Sequence, residues 1–285
     1  MLWLDSADSV DQETLGIEES GFPFIQWVNG DKKLKAAGGV IYTGGWFMPS
    51  DDEEVPEGWT AGSLMHPNGD ETDGLFIRNL TCSFIRSRKS WQVQGDDGRS
   101  QMFPWDKYDE AKEYGPPRGK YQALVLVQGL EDRGPLMLTL RGTTAMAFSQ
   151  RRGDCVLSRF QRFVLAPADK ANARKGKKTR FPLRAFWLTV GPAINEKNEP
   201  VFTEVGKGNA TSFVTLPSLI SAYDKLPLVG IGQLFVGPEI LAEGSRIYSE
   251  EGEAWARALD NMPAQDDAPA DDDLEEMDTD EPIDF

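Results

Sequence analysis

The chain has 285 residues, 40% of them hydrophobic and 10% aromatic, with a formal net charge of −16. That length suits one large domain or two small ones with a proper core, and no apolar run reaches the roughly 18 residues of a membrane span. A single histidine, His66, and two widely separated cysteines, Cys82 and Cys155, argue against a zinc site, a disulfide framework or a His-dependent triad.

Met1 to Asp5 lacks the basic start of a signal peptide, so a soluble protein of a reducing cytoplasm is expected. Residues 1–20 read as a polar, acidic arm. Gly21 to Val28 alternates like a strand and ends in the turn dipeptide Asn29-Gly30. Lys33 to Ala37 reads as a short helix and Val40 to Thr43 as a second strand, while residues 49–73 read as an acidic loop. Leu75 to Arg86 alternates over most of its length, and Ser90 to Gln94 follows as a strand. Met102 to Trp105 leads into a helix over Lys107 to Tyr114, which Gly115-Pro116-Pro117 breaks.

Lys120 to Gln128 is the strongest strand signal, and Leu136 to Arg141 is expected to pair with it across a turn. Thr143 to Leu165 carries a helical stripe of Ala145, Phe148, Val156, Phe160 and Phe163, split near Gly153. Residues 167–180 have no apolar periodicity and read as an exposed basic loop. Leu183 to Val190 and Thr211 to Leu216 read as strands. Pro217 suits a first helical turn, giving a helix to Lys225, and residues 238–259 give a last helix interrupted at Gly244 and Gly252. Pattern alone gives a β-dominated α+β domain over residues 21–259.

Residues 261–285 hold eleven carboxylates, three prolines and no Lys or Arg, a composition that stays disordered. Charge is also polarised elsewhere. Residues 1–75 carry a net −12, whereas residues 141–184 carry +10. Partner choice follows the local field and not the sum.

Catalytic motifs are not found. Gly115 to Lys120 misses the spacing of a phosphate loop, and its prolines remove backbone donors such a loop needs. Asn68, Asp70 and Asp73 miss the glycine offset and closing Glu of a calcium loop. No metal, cofactor or catalytic role is expected. Single strands are held instead by cations beside aromatic planes, each stacked base being worth about 1–3 kcal/mol. Two stretches have that mixture: Arg86, Arg88 and Lys89 with Trp91, and Phe103 with Trp105. Arg151 and Arg152, and the run Arg174, Lys175, Lys177, Lys178 and Arg180, add cations for phosphates.

The acidic end, with Asp271-Asp272-Asp273 and then Asp280-Glu281-Pro282-Ile283-Asp284-Phe285, resembles the C-terminal tips of bacterial and phage single-stranded DNA-binding proteins. An acidic run ending directly in Phe is closer to the phage style. The resemblance covers residues 261–285. It implies an oligonucleotide-binding (OB) barrel with insertions, sequence-tolerant binding of single-stranded DNA with RNA as a variant, and a bacterial or phage-infected cell. It also implies docking of replication, repair or recombination proteins on Ile283, Asp284 and Phe285, and allows a homo-oligomer. The alternative, which takes the −16 at face value, is an acidic interaction protein or DNA-mimic decoy.

Overall fold

The computed structural model describes residues 22–29, 44–50, 54–65, 71–95, 100–149, 154–174, 176, 180–205 and 212–258. The strands are β1 (Phe24–Val28), β2 (Gly45–Pro49), β3 (Thr60–Met65), β4 (Glu71–Ile77), β5 (Leu80–Gln94), β6 (Ser100–Pro104), β7 (Arg118–Val127), β8 (Leu136–Arg141), β9 (Leu188–Pro192), β10 (Phe202–Val205), β11 (Ser212–Thr215) and β12 (Pro217–Leu219). The α-helices are α1 (Tyr108–Glu113), α2 (Gly142–Ser149), α3 (Val156–Phe160), α4 (Ala166–Arg174), α5 (Leu228–Gln233), α6 (Pro238–Glu250) and α7 (Gly252–Arg257). A π-helical turn over Gln161–Leu165 joins α3 to α4. No described helix is long and apolar enough to cross a membrane.

Ten strands form one mixed sheet among the described residues, in the order β12-β9-β5-β7-β8-β1-β2-β4-β3, with β6 also on β5. The path does not close on itself. All pairs are antiparallel except β1 with β8. β10 and β11 form a separate hairpin.

The inner face of the sheet carries the main core. Ile25, Trp46, Leu80, Cys82, Ala123, Val125 and Leu138 meet Phe148, Phe160 and Val164 from α2, α3 and the π-helical turn. Trp27 and Trp46 meet edge to face at 5.1 Å. Trp46 Nε1 donates to the Val190 carbonyl at 3.0 Å, so a β2 side chain reaches β9 across the core. The outer face carries a second cluster, in which Ile247 and Trp255 of α6 and α7 cover Ile85, Leu124, Leu126 and Met137.

Several sequence expectations are corrected. Residues 49–73 contain β3 and the start of β4, because small residues there pack flat: a Cβ on Gly62 would lie 3.3 Å from Phe76. The alternation from Leu75 to Arg86 is two strands, broken at Arg78-Asn79. The basic stretch after Pro167 stays helical to Arg174, anchored by buried Ala168. Pro217 begins a strand paired with β9, not a helix, and the following Ser221–Lys225 is a 3₁₀ turn. Leu183–Ala185 is likewise a 3₁₀ turn ahead of β9. Gly244 does not interrupt α6. The helix passes Ile85 and Arg184 there, whose atoms would lie at ordinary contact distance, 3.8 and 3.7 Å, from an added Cβ. The expected helix over Lys33 to Ala37, the strand over Val40 to Thr43, and residues 1–20 and 261–285 lie outside the described residues.

Candidate nucleic-acid interface

β5 positions most of the expected site, and a bulge decides how. Phe84 pairs with Val125, but Arg86 pairs with Leu124, so Ile85 is an extra residue. The alternation shifts there. Beyond the bulge, Arg86, Arg88, Ser90 and Gln92 lie on the outer face, and Ser87, Lys89, Trp91 and Val93 on the inner one.

On the outer face, the pairing sets side chains in ranks across the strands. Arg88, Gln122, Thr139 and Gln26 form one rank over β5, β7, β8 and β1. The next rank is Ser90, Lys120 and Arg141, and beyond it Gln92 pairs with Arg118. Strands β1, β5, β7 and β8 together hold Arg86, Arg88, Lys89, Arg118, Lys120 and Arg141 and not one carboxylate, in a chain with 46 Asp and Glu. Lys120, Gln122 and Gln92 are buried, Arg141 is half-buried and Arg118 is exposed. The face is therefore open at its Arg118 end.

At that same end, the inner face carries the aromatic platform. Trp105 stacks on Trp91 with centroids 4.1 Å apart and planes 10° from parallel, and Trp91 Nε1 donates to the Trp105 carbonyl at 2.8 Å. Gly119, opposite Trp91, lies beneath both rings: an added Cβ would sit at ordinary contact distance, 3.7 Å, from each. Lys89 Nζ lies 5.3 Å from the Trp105 centroid and donates to the Ser149 carbonyl at 3.4 Å. Trp105 is 38% exposed, whereas Trp91 and Phe103 are packed in a small cluster with Val93 and Ala111. The base-stacking role expected of Trp91 and Phe103 is corrected on this ground. A buried ring has no free face; exposed aromatic surface there is offered by Trp105 and by Tyr114, whose ring lies 5.3 Å from Phe103.

The remaining expected residues divide. Arg86 and Arg88 do sit on the cationic face, but under the C-terminal helices. Arg86 lies over Tyr248 at 4.9 Å, a ring that also takes Arg184 at 4.8 Å, and Arg88 lies over Trp255 at 4.2 Å. Arg174 and Arg180 are exposed near α4, where Asp169 accepts a hydrogen bond from the Phe181 amide. Nothing among the described residues joins them to Lys89 or Trp105. Arg151, Arg152, Lys175, Lys177, Lys178, Ile283, Asp284 and Phe285 lie outside the described residues.

Arg118, Lys120 and Arg141 escaped the sequence reading. Their signal was present as the i, i+2 spacing of Arg118, Lys120 and Gln122, which puts polar side chains on one face of an otherwise apolar strand. Comparison with protein-family models, with curated proteins and with solved structures gives no match for this chain.

Proposed function

We propose that the protein binds single-stranded DNA with little sequence preference. The observation that carries this reading is the exposed end of β7, where Arg118 adjoins Gly119 beneath the partly exposed Trp105 and Lys89 lies against that ring, on strands that carry cations and no carboxylate. Cations track a phosphate backbone and aromatic faces accept any base, which is the chemistry of sequence-tolerant single-strand binding. A strand enters at the exposed end, with Arg118 on phosphate and Trp105 against a base. Lys89, Lys120 and Arg141 strengthen the local field.

The OB-type barrel is the finer part of this proposal, and strand order supports it. Long β5 pairs with both β7 and β9, β8 follows β7, and the helical segment α2–α4 stands between β8 and β9. An OB barrel is a five-stranded, partly open Greek-key barrel, and the β5-β7-β8 meander with β9 returning beside β5 has a connectivity of that kind. Parallel β1 beside β8 then takes the fifth strand's place from the N-terminal side. OB domains bind oligonucleotides on the face of their second and third strands, which here means β7 and β8. Residues 261–285 complete the proposal as an acidic segment that docks replication, repair or recombination proteins through Ile283, Asp284 and Phe285.

The test is a gel-shift series with single-stranded and duplex oligonucleotides at rising salt. Tighter binding to single strands that falls steeply with salt is expected. Trp105→Ala should weaken it about 5- to 150-fold, the range of one lost stack. Absence of binding even at low salt would sink the reading in favour of an acidic decoy.

A further inference from the structure

The contact between β5 and α7 is rich in hydrogen-bond donors and poor in acceptors. Arg88 Nε donates to Gln122 Oε1 at 2.9 Å and Nη1 donates to the Trp255 carbonyl at 2.7 Å. Those bonds use two of the five N–H groups of a guanidinium. No carboxylate pairs with Arg88 among the described residues, and burial pushes its pKa down to about 10. The Trp255 indole beneath it is 5% exposed, and its Nε1–H has no partner among the described residues. Ser90, two residues along the same face of β5 and fully buried, has an Oγ that likewise has no partner among them.

Buried polar groups are nearly always matched, so unmatched ones clustered at one place need an explanation. Here the unmatched atoms are an indole N–H and a hydroxyl, next to a guanidinium with no carboxylate partner among the described residues. A ligand that only accepts hydrogen bonds and carries negative charge would satisfy all of them and compensate the buried cation. Lys120, opposite Ser90, and Arg141, opposite Lys120, make the surroundings more positive.

We propose that Arg88, Ser90 and Trp255 form a pocket for one phosphodiester group of a bound strand. The proposal deepens the single-strand reading and rests on it. One wall of the pocket is α7, the last described helix before residues 261–285, so an occupied pocket also pins that helix against the sheet.

The test uses the full chain with Trp255→Phe and Arg88→Met, a thymidine oligonucleotide followed by fluorescence anisotropy across a salt series, and thermal melting. Trp255→Phe keeps an aromatic ring under Arg88 but removes the indole donor and some buried volume. It should lower the melting temperature by a few degrees, as a buried large-to-small change does, and weaken the oligonucleotide about 3- to 10-fold at temperatures where both proteins are folded. Arg88→Met should weaken it about tenfold or more and make the salt slope shallower by about 0.7, the share of one single-strand phosphate contact. Inorganic phosphate should raise the melting temperature of the parent protein above that in chloride at equal ionic strength, and raise it less in Trp255→Phe. An equal rise with acetate would assign the pocket to carboxylates and overturn the phosphate assignment. If the parent protein binds the oligonucleotide and neither variant changes affinity or slope, the pocket is refuted. If the parent protein binds no oligonucleotide, the single-strand reading fails, and with it the phosphodiester; the phosphate melting shift then decides whether an anion pocket exists at all.

Discussion

Cys82 lies on the inner face of β5 with no exposed surface, and burial alone raises its thiol pKa far above the ordinary 9.0. Tyr121 and Tyr223 are raised for the same leading reason. These groups stay neutral in the fold where the unfolded chain ionises. Their contribution is fully present below the unfolded values and is lost as pH rises through and beyond them. Arg88 acts in the opposite sense, because its depressed pKa lets the folded state shed a proton first, from about pH 10 upward. Denaturant unfolding should therefore show stability falling above about pH 9, by about 1.4 kcal/mol per pH unit for each such acid. Cys82→Ala should remove one such increment between pH 9 and 11; an unchanged slope would show that the thiol already titrates normally. At this scale the sequence was informative about Trp105, which follows a proline among polar residues and is exposed. It was silent about Trp91, whose burial depends on what α1 and β6 bring against it.

Elements explain which side chains share a face. Alternation along β5 is legible in the sequence, but the bulge at Ile85 is not, because nothing in Phe84-Ile85-Arg86 marks an extra residue. That one residue sends Arg88 outward and Lys89 inward, so cations adjacent in sequence serve opposite faces. The glycines were similarly ambiguous. Gly252 reads as a helix break and is one, but it also admits Arg86, whose Cδ would lie 3.2 Å from an added Cβ. Gly74 of β4 allows no side chain, since an added Cβ would sit 2.3 Å from the Met48 carbonyl oxygen and 2.7 Å from the Phe47 ring. Gly74→Ala should cost about 1–3 kcal/mol, as overpacked core sites do, and lower the melting temperature by a few degrees. Gly58→Ala is no control despite open space, because its φ of +83° strains any side chain. Gly232→Ala, with nothing within 4 Å and no positive φ, should leave melting nearly unchanged.

For the whole molecule, the governing feature is the separation of charge. Nine of the ten strands of the main sheet hold no Asp or Glu and their Lys and Arg fall on β5, β7 and β8, while residues 261–285 hold eleven carboxylates and no cation. In the single-strand reading proposed above, tethering would hold that segment at an effective concentration of order millimolar, in competition with nucleic acid for the sheet cations. Deleting residues 261–285 should tighten single-strand binding and flatten part of its salt dependence by anisotropy. Unchanged affinity would remove the competition from the account.

Composition and alternation in the sequence determined the β-dominated class, the β7–β8 pair, the helices α1 and α2, and the segregation of acids from bases, because each depends on neighbours within a few residues. The tertiary structure decided which cations share a surface. It did so through strand register, through the bulge in β5, and through the docking of α6 and α7 on Arg86 and Arg88. These depend on pairings between residues as far apart as Arg88 and Trp255, whose contact no local pattern in the chain encodes.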